Sequence, residues 1–341
     1  MEVTSPSCAV GTVGRSLGTP GGQAGERGGG RAEAEGQEHA SSIGPPYCRR
    51  VLCDAEVPGV WQGLGLPGLL DVHVHFLPER VFAKVWAYFD RAGPLLGRPW
   101  PVHYRTDDDA RLATLAALGV RHFPSLVYAH KADMAPWLNE WSAAFADAHP
   151  QVWRTATLHP EPGVTSYVRA GLDAGVVLWK AHAQVGDYDV RDPLLDEAWG
   201  LIADAGTPVI AHVGSGPAPG RWTGPGPVAD LLARHPRLPL VVAHLGMPDG
   251  AAFADLALAY EHVRLDTTMA CTDFWGAPPP SPSYAARLRD LGLAGKVLWG
   301  SDFPNIPYPY AHGLEALLRL DLGDAWLREV LWGAAARLLP T

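Results

Sequence analysis

The chain has 341 residues, is 47% hydrophobic, and carries 36 acidic against 27 basic residues for a formal net charge of −9. That length supports a sizeable core, and an acidic chain without a basic stripe is a poor partner for nucleic acid or an anionic membrane surface. No apolar run reaches the roughly 18 residues of a membrane span, no continuous apolar leader opens the chain, and four cysteines make no disulfide framework at this size, so a cytoplasmic location is expected.

Residues 1–44 are dense in Gly, Ser and charge, with few aliphatics and no period. Such a segment buries too little surface to offset chain entropy and is expected to be disordered, or to be an overextended gene start. Residues 45–341 are expected to form one domain. Short aliphatic runs begin there and alternate with helical patterns: "LLDVHVH" (69–75), "VRHFPSLVYAH" (120–130), "VWRTATLH" (152–159), "GVVLWKAH" (175–182), "TPVIAH" (207–212), "LPLVVAH" (238–244), "HVRLDTT" (262–268) and "KVLWGSD" (296–302). The spacing predicts helices near 107–118, 134–148, 165–174, 193–205, 227–235, 249–260 and 282–291, with a last pair near 312–319 and 323–338. A long first gap, 76–106, is expected to hold a helix and a loop over one mouth of the fold. Eight strand–helix units at this spacing predict an α/β fold of the (β/α)8 barrel type. The rival is a doubly wound open sheet, but no G-x-G-x-x-G turn follows residue 75.

Alternate residues of a strand share a face, so His73 and His75 point the same way, and Asp71 is expected on that face too. Five more of the runs end in histidine, at His130, His159, His182, His212 and His244, and the eighth ends in Asp302. In a parallel barrel all these ends converge on one rim, where active sites are built. Neutral imidazoles with a carboxylate suit a divalent transition metal, most simply one Zn²⁺ per chain.

The segments "LPGLLDVHVHF", "VIAHVG", "VVAHLG" and "LWGSDFP" resemble the amidohydrolase superfamily, and within it the amidohydrolase-related branch that includes aminocarboxymuconate-semialdehyde decarboxylase. The resemblance covers about residues 66–339. It implies that His73, His75, His212 and Asp302 bind the metal, that Asp302 also handles a proton, and that His244 polarises the water or the substrate. The family's late G-N-A-x-R-L segment appears as "GAAARLL", with Ala334 in place of asparagine, a departure expected to touch packing only. Each residue has a plainer reading: Asp302 could cap a turn, His212 could fill the core, and His244 could be a hydrogen-bonded imidazole without a catalytic role.

Lys180 shares a face with His182. Two-metal members of the superfamily use a carboxylated lysine on that strand as a bridge; contact with a substrate carboxylate or an internal ion pair are the preferred alternatives. Trp86 and Arg105, in the 76–106 segment, suit a planar carboxylated ligand, or else pack that segment onto the barrel. The resemblance implies a metal-dependent hydrolase that uses a metal-activated water on an amide, ester or lactone of a small carboxylated molecule. A decarboxylase of an aromatic or muconate-like acid is the runner-up, and a non-catalytic metal-binding barrel is the third reading. Members of the family are commonly dimers, so a homodimer is the expectation.

Overall fold

The computed structural model describes residues 52–276 and 278–341. The expectations for residues 1–44, and the start of the domain at 45–51, lie outside the described residues. The strands are β1 (Leu69–Leu70), β2 (Val120–Pro124), β3 in two pieces (Val152–Trp153 and Thr155–Thr157), β4 (Leu178–His182), β5 (Val209–His212), β6 (Leu240–Val242), β7 (Arg264–Asp266) and β8 (Val297–Leu298). Every pairing is parallel and joins neighbours in sequence. The barrel closes where Val72 N donates to Trp299 O (3.0 Å) and His75 N to Phe303 O (2.8 Å). This is the (β/α)8 barrel that the eight runs predict.

The predicted helices form within a few residues of their expected bounds. Asp108–Leu118 shows why: the Asp107 carboxylate accepts from Ala110 N at 2.8 Å, and Gly119 ends the helix at φ 85°. The first gap holds the helix Glu79–Phe89. Two details differ from expectation. A helix at Val57–Gly63 precedes β1, where none was expected, and the last helix is broken by a π-helical turn, Glu329–Gly333, whose Val330 carbonyl accepts from Trp299 N.

The interior of the barrel is apolar at one end and polar at the other. Leu70, Val72, Leu126, Leu178, Ile210, Val241 and Leu298 fill its base, where Ala334, Ala335 and Leu339 close it. Ala334 is thus a packing residue, as expected for the position that departs from the family's asparagine. One turn up each strand, side chains on the same face become Lys180, His182 and His212. Among the described residues no helix is long and apolar enough to cross a membrane.

Candidate metal centre

The centre begins with a break in strand alternation. Leu70 and Val72 face the interior, yet so does His73, because the chain bends at Val72. Asp71 therefore does not share the histidines' face, contrary to the simple two-residue period. Its carboxylate instead accepts from Tyr310 Oη (2.9 Å), Ser301 N (3.1 Å) and His73 N (3.1 Å), tying β1 to the segment after β8. Burial raises its pKa to about 7, against the pull of those donors.

His73 and His75 then point into the barrel mouth beside Asp302. One ligand atom from each of these three lies within 4.8 Å of the others. The tautomers follow from the partners. His75 Nδ1 donates to the Leu126 carbonyl (2.7 Å), and His73 Nδ1 donates to Asp266 Oδ2 (2.9 Å). Both Nε2 atoms therefore carry lone pairs; that of His75 meets no donor, and that of His73 accepts from Lys180 Nζ (3.0 Å). His75 Nε2 faces Asp302 Oδ1 at 3.0 Å, acceptor against acceptor, and His73 Nε2 lies 3.7 Å from the same oxygen. Burial opposes ionisation of Asp302, but the close imidazoles of His75, His73 and His244 hold its carboxyl well below the usual range. Burial first, and the Lys180 charge second, press His73 down to about 3.

His212 and His244 repeat the pattern. His212 Nε2 donates to Gly216 O (2.8 Å) and His244 Nδ1 to Thr268 O (3.1 Å), which leaves His212 Nδ1 and His244 Nε2 bare and facing each other at 3.1 Å. Burial lowers the pKa of both rings, so an extra proton between them is disfavoured. Two pairs of acceptors held face to face in a buried cluster fit a cation as the missing partner. His73, His75 and Asp302 form the tight group; His212 stands beside it, in register with His182 across β4 and β5 and stacked on it at 4.2 Å.

Backbone geometry marks the same residues. His244 (φ 58°) and Asp302 (φ 70°) occupy the left-handed region that non-glycine residues avoid, at about 1–3 kcal/mol each. Asp302 N donates to His73 O (2.8 Å) and His244 N to Asp266 Oδ1 (2.9 Å), which hold both in place. Behind His73, Gly300 leaves room: a Cβ there would sit 2.2 Å from Thr268 Oγ1 and 2.7 Å from His73 Cβ.

Lys180 is buried and its Nζ donates to His73 Nε2 at 3.0 Å. Burial lowers its pKa to about 8, opposed by Asp266 and Asp302. His182 accepts from Val185 N at Nδ1 (3.2 Å). Trp86 and Arg105 are committed elsewhere: the indole donates to Asn305 Oδ1 (3.0 Å), and the guanidinium pairs with Asp90 (2.6 Å) at the surface. Trp86 pins the 76–106 segment to the barrel, and Arg105 braces that segment internally. The sequence reading missed Asp266. This buried carboxylate ends β7 and accepts from His73 Nδ1, His244 N and Thr268 N. Burial opposes its ionisation, but those donors keep its carboxyl far below the usual range. Its signal was present in "HVRLDTT", a run whose aspartate received no role.

Solved structures share this architecture. An uncharacterised TIM-barrel protein from Bordetella bronchiseptica aligns with a TM-score of 0.64 at 20% identity, over 80% of this chain and 98% of that one. A 5-carboxyvanillate decarboxylase from Novosphingobium aromaticivorans, solved with bound manganese, gives 0.55 at 13% identity over 80% and 98%. A probable 2-pyrone-4,6-dicarboxylic acid hydrolase from Acinetobacter baumannii, solved with citric acid, gives 0.52 at 13% identity over 80% and 98%. No curated protein sequence matches the chain. The family model described as amidohydrolase matches residues 70–341, so the chain belongs to the amidohydrolase family.

Proposed function

We propose that the chain is a metal-dependent hydrolase that opens an amide, ester or lactone bond in a small carboxylated substrate. The observation that carries this reading is the set of bare acceptors facing one another at the barrel mouth, His75 Nε2 on Asp302 Oδ1 and His212 Nδ1 on His244 Nε2. His73, His75, Asp302 and His212 would hold one divalent cation; Zn²⁺ suits three imidazoles and a carboxylate, and a family neighbour contains manganese. Such a cation, when bound, supplies Lewis acidity toward a carbonyl oxygen and a water with a pKa of about 7.

The chain's own groups do the rest. Asp302, kept ionised, accepts the proton of the attacking water and passes it to the leaving atom. His244, kept neutral with its Nδ1–H fixed on Thr268 O, presents Nε2 to orient that water or the substrate. Lys180 and His182 line the interior face beside them and can contact the substrate. Asp266 holds the His73 tautomer and the His244 backbone. The test is metal analysis of the purified protein and of His75→Ala, followed by assay on carboxylated amides, esters and lactones with CO₂ release measured in parallel. About one ion per chain, lost in the variant, with water-dependent cleavage, is the expected result. CO₂ release without cleavage would replace hydrolysis by decarboxylation, and absence of metal after metal-replete expression would overturn the reading.

A further inference from the structure

Next to the cation centre lies a group of donors that the proposed chemistry leaves idle. Tyr128, at the end of the β2 stave, is 8% exposed. Its ring meets His75 edge-on at 5.3 Å, His182 at 5.1 Å, and stacks on His130 at 5.0 Å and 21°. Its hydroxyl has no hydrogen-bond partner among the described residues. His130 Nε2 is buried and also lacks one. From the other side, the helix Glu79–Phe89 packs Val81, Phe82 and Val85 onto Val127, Tyr128 and Leu138. Lys84, three residues after Val81, is exposed at the edge of that helical face, and its charge bears on His130. Lys84 has no ion pair among the described residues.

A phenol O–H, an imidazole N–H and an ammonium so placed are three donors without an acceptor. Among the described residues, the carboxylate whose charge bears on Tyr128 is Asp302, which belongs to the cation centre. We propose that Tyr128, His130 and Lys84 form a carboxylate-binding recess at the edge of the cation centre, and that it takes the carboxylate of the substrate. A carboxylate offers about four lone-pair sites, enough for all three donors, and binds best where they are already fixed. The Tyr128–His130 stack provides that fixing for two of them, and Val81, Phe82 and Val85 anchor the helix from which the exposed Lys84 reaches. The substrate role rests on the hydrolase reading above; anion recognition by these three residues does not.

The test is calorimetric titration of Zn²⁺-loaded protein with benzoate and with its neutral isostere benzamide, on the wild type, Tyr128→Phe and Lys84→Met. Phe keeps the ring stack and Met keeps the aliphatic stem. The wild type should prefer benzoate, and each variant should lose about tenfold to a hundredfold in benzoate affinity, with metal content and benzamide affinity unchanged. Benzoate bound equally by all three proteins, or no better than benzamide by the wild type, would overturn the recess. A parallel titration of chelator-treated protein separates the two proposals: a preference for benzoate that persists there and falls in the variants supports the recess even if the metal reading fails.

Discussion

Replacing Asp266 by Asn changes few atoms and tests the tautomer logic of the whole centre. The carboxylate divides its work: Oδ1 accepts from His244 N (2.9 Å) and Thr268 N (3.1 Å), and Oδ2 accepts from His73 Nδ1 (2.9 Å). An amide has one acceptor oxygen. If it serves the two backbone donors, its NH₂ faces His73 Nδ1, which must then accept. The ring proton moves to Nε2, the atom that stands 3.7 Å from Asp302 and belongs to the metal group. A protonated Nε2 has no lone pair for a cation. Loss of such a supporting partner typically weakens metal binding by about 10–100-fold. At free Zn²⁺ 100 times the wild-type Kd, binding stabilises the fold by about 2.7 kcal/mol; a thirtyfold weaker variant would keep about 0.9 kcal/mol of that. Differential scanning calorimetry across a chelator-buffered Zn²⁺ series reads this directly. An Asp266→Asn protein with the wild-type Zn²⁺ Kd would refute the claim that Asp266 fixes His73 for a cation.

Other substitutions probe separate parts of the structure. Gly300→Ala forces a methyl to 2.7 Å from His73 Cβ and 2.2 Å from Thr268 Oγ1, so it should cost about 1–3 kcal/mol in stability and displace His73, seen together as a lower denaturation midpoint and lost Zn²⁺ binding. Asp71 should make stability fall with pH. Its folded pKa of about 7 lies above the unfolded 3.8, so its contribution is complete below pH 3.8 and is lost as pH rises toward 7. The stability of wild type relative to Asp71→Asn should therefore drop over that window, by at most about 4 kcal/mol, in urea titrations; a flat difference would show that Asp71 is ionised throughout. Metal analysis of Lys180→Gln should return one ion per chain, as in the wild type. A second ion present only with Lys180 would instead establish it as a bridge.

Most of the fold and the centre were legible because barrel geometry turns sequence periodicity into position. Runs that end in His212 and His244 lie on neighbouring staves, and parallel pairing brings their ends to one level. Asp71 was misplaced because a two-residue period assumes an unbroken strand, and the bend at Val72 breaks it. Asp266 was passed over because a strand-end aspartate followed by two threonines looks like an ordinary turn. Its importance lies in contacts 193 residues apart in sequence with His73, and no local pattern carries them. Trp86 and Arg105 show the converse. Their composition suits a ligand site, but only packing shows that Asn305 and Asp90 already occupy them.

The same contacts explain how a barrel tolerates a mouth that violates local preference. His244 and Asp302 hold left-handed backbone, and at least five ionisable side chains are buried around them. Taken singly, each is destabilising. They are linked, however, by one continuous series of hydrogen bonds. His73 O holds Asp302 N, His73 Nδ1 holds Asp266, Asp266 holds His244 N, and Thr268 O holds the His244 ring. The series ties the ends of β1, β6, β7 and β8 without help from the helices outside. What it does not satisfy are the bare nitrogens and the Asp302 oxygen that face one another across the mouth. Part of the backbone strain and buried charge thus falls on residues whose remaining lone pairs converge, and a cation at that point removes the unfavourable acceptor–acceptor contacts. Strain held this way should persist in the metal-free protein, because its supports are protein groups, while the acceptor–acceptor repulsion should not survive metal binding.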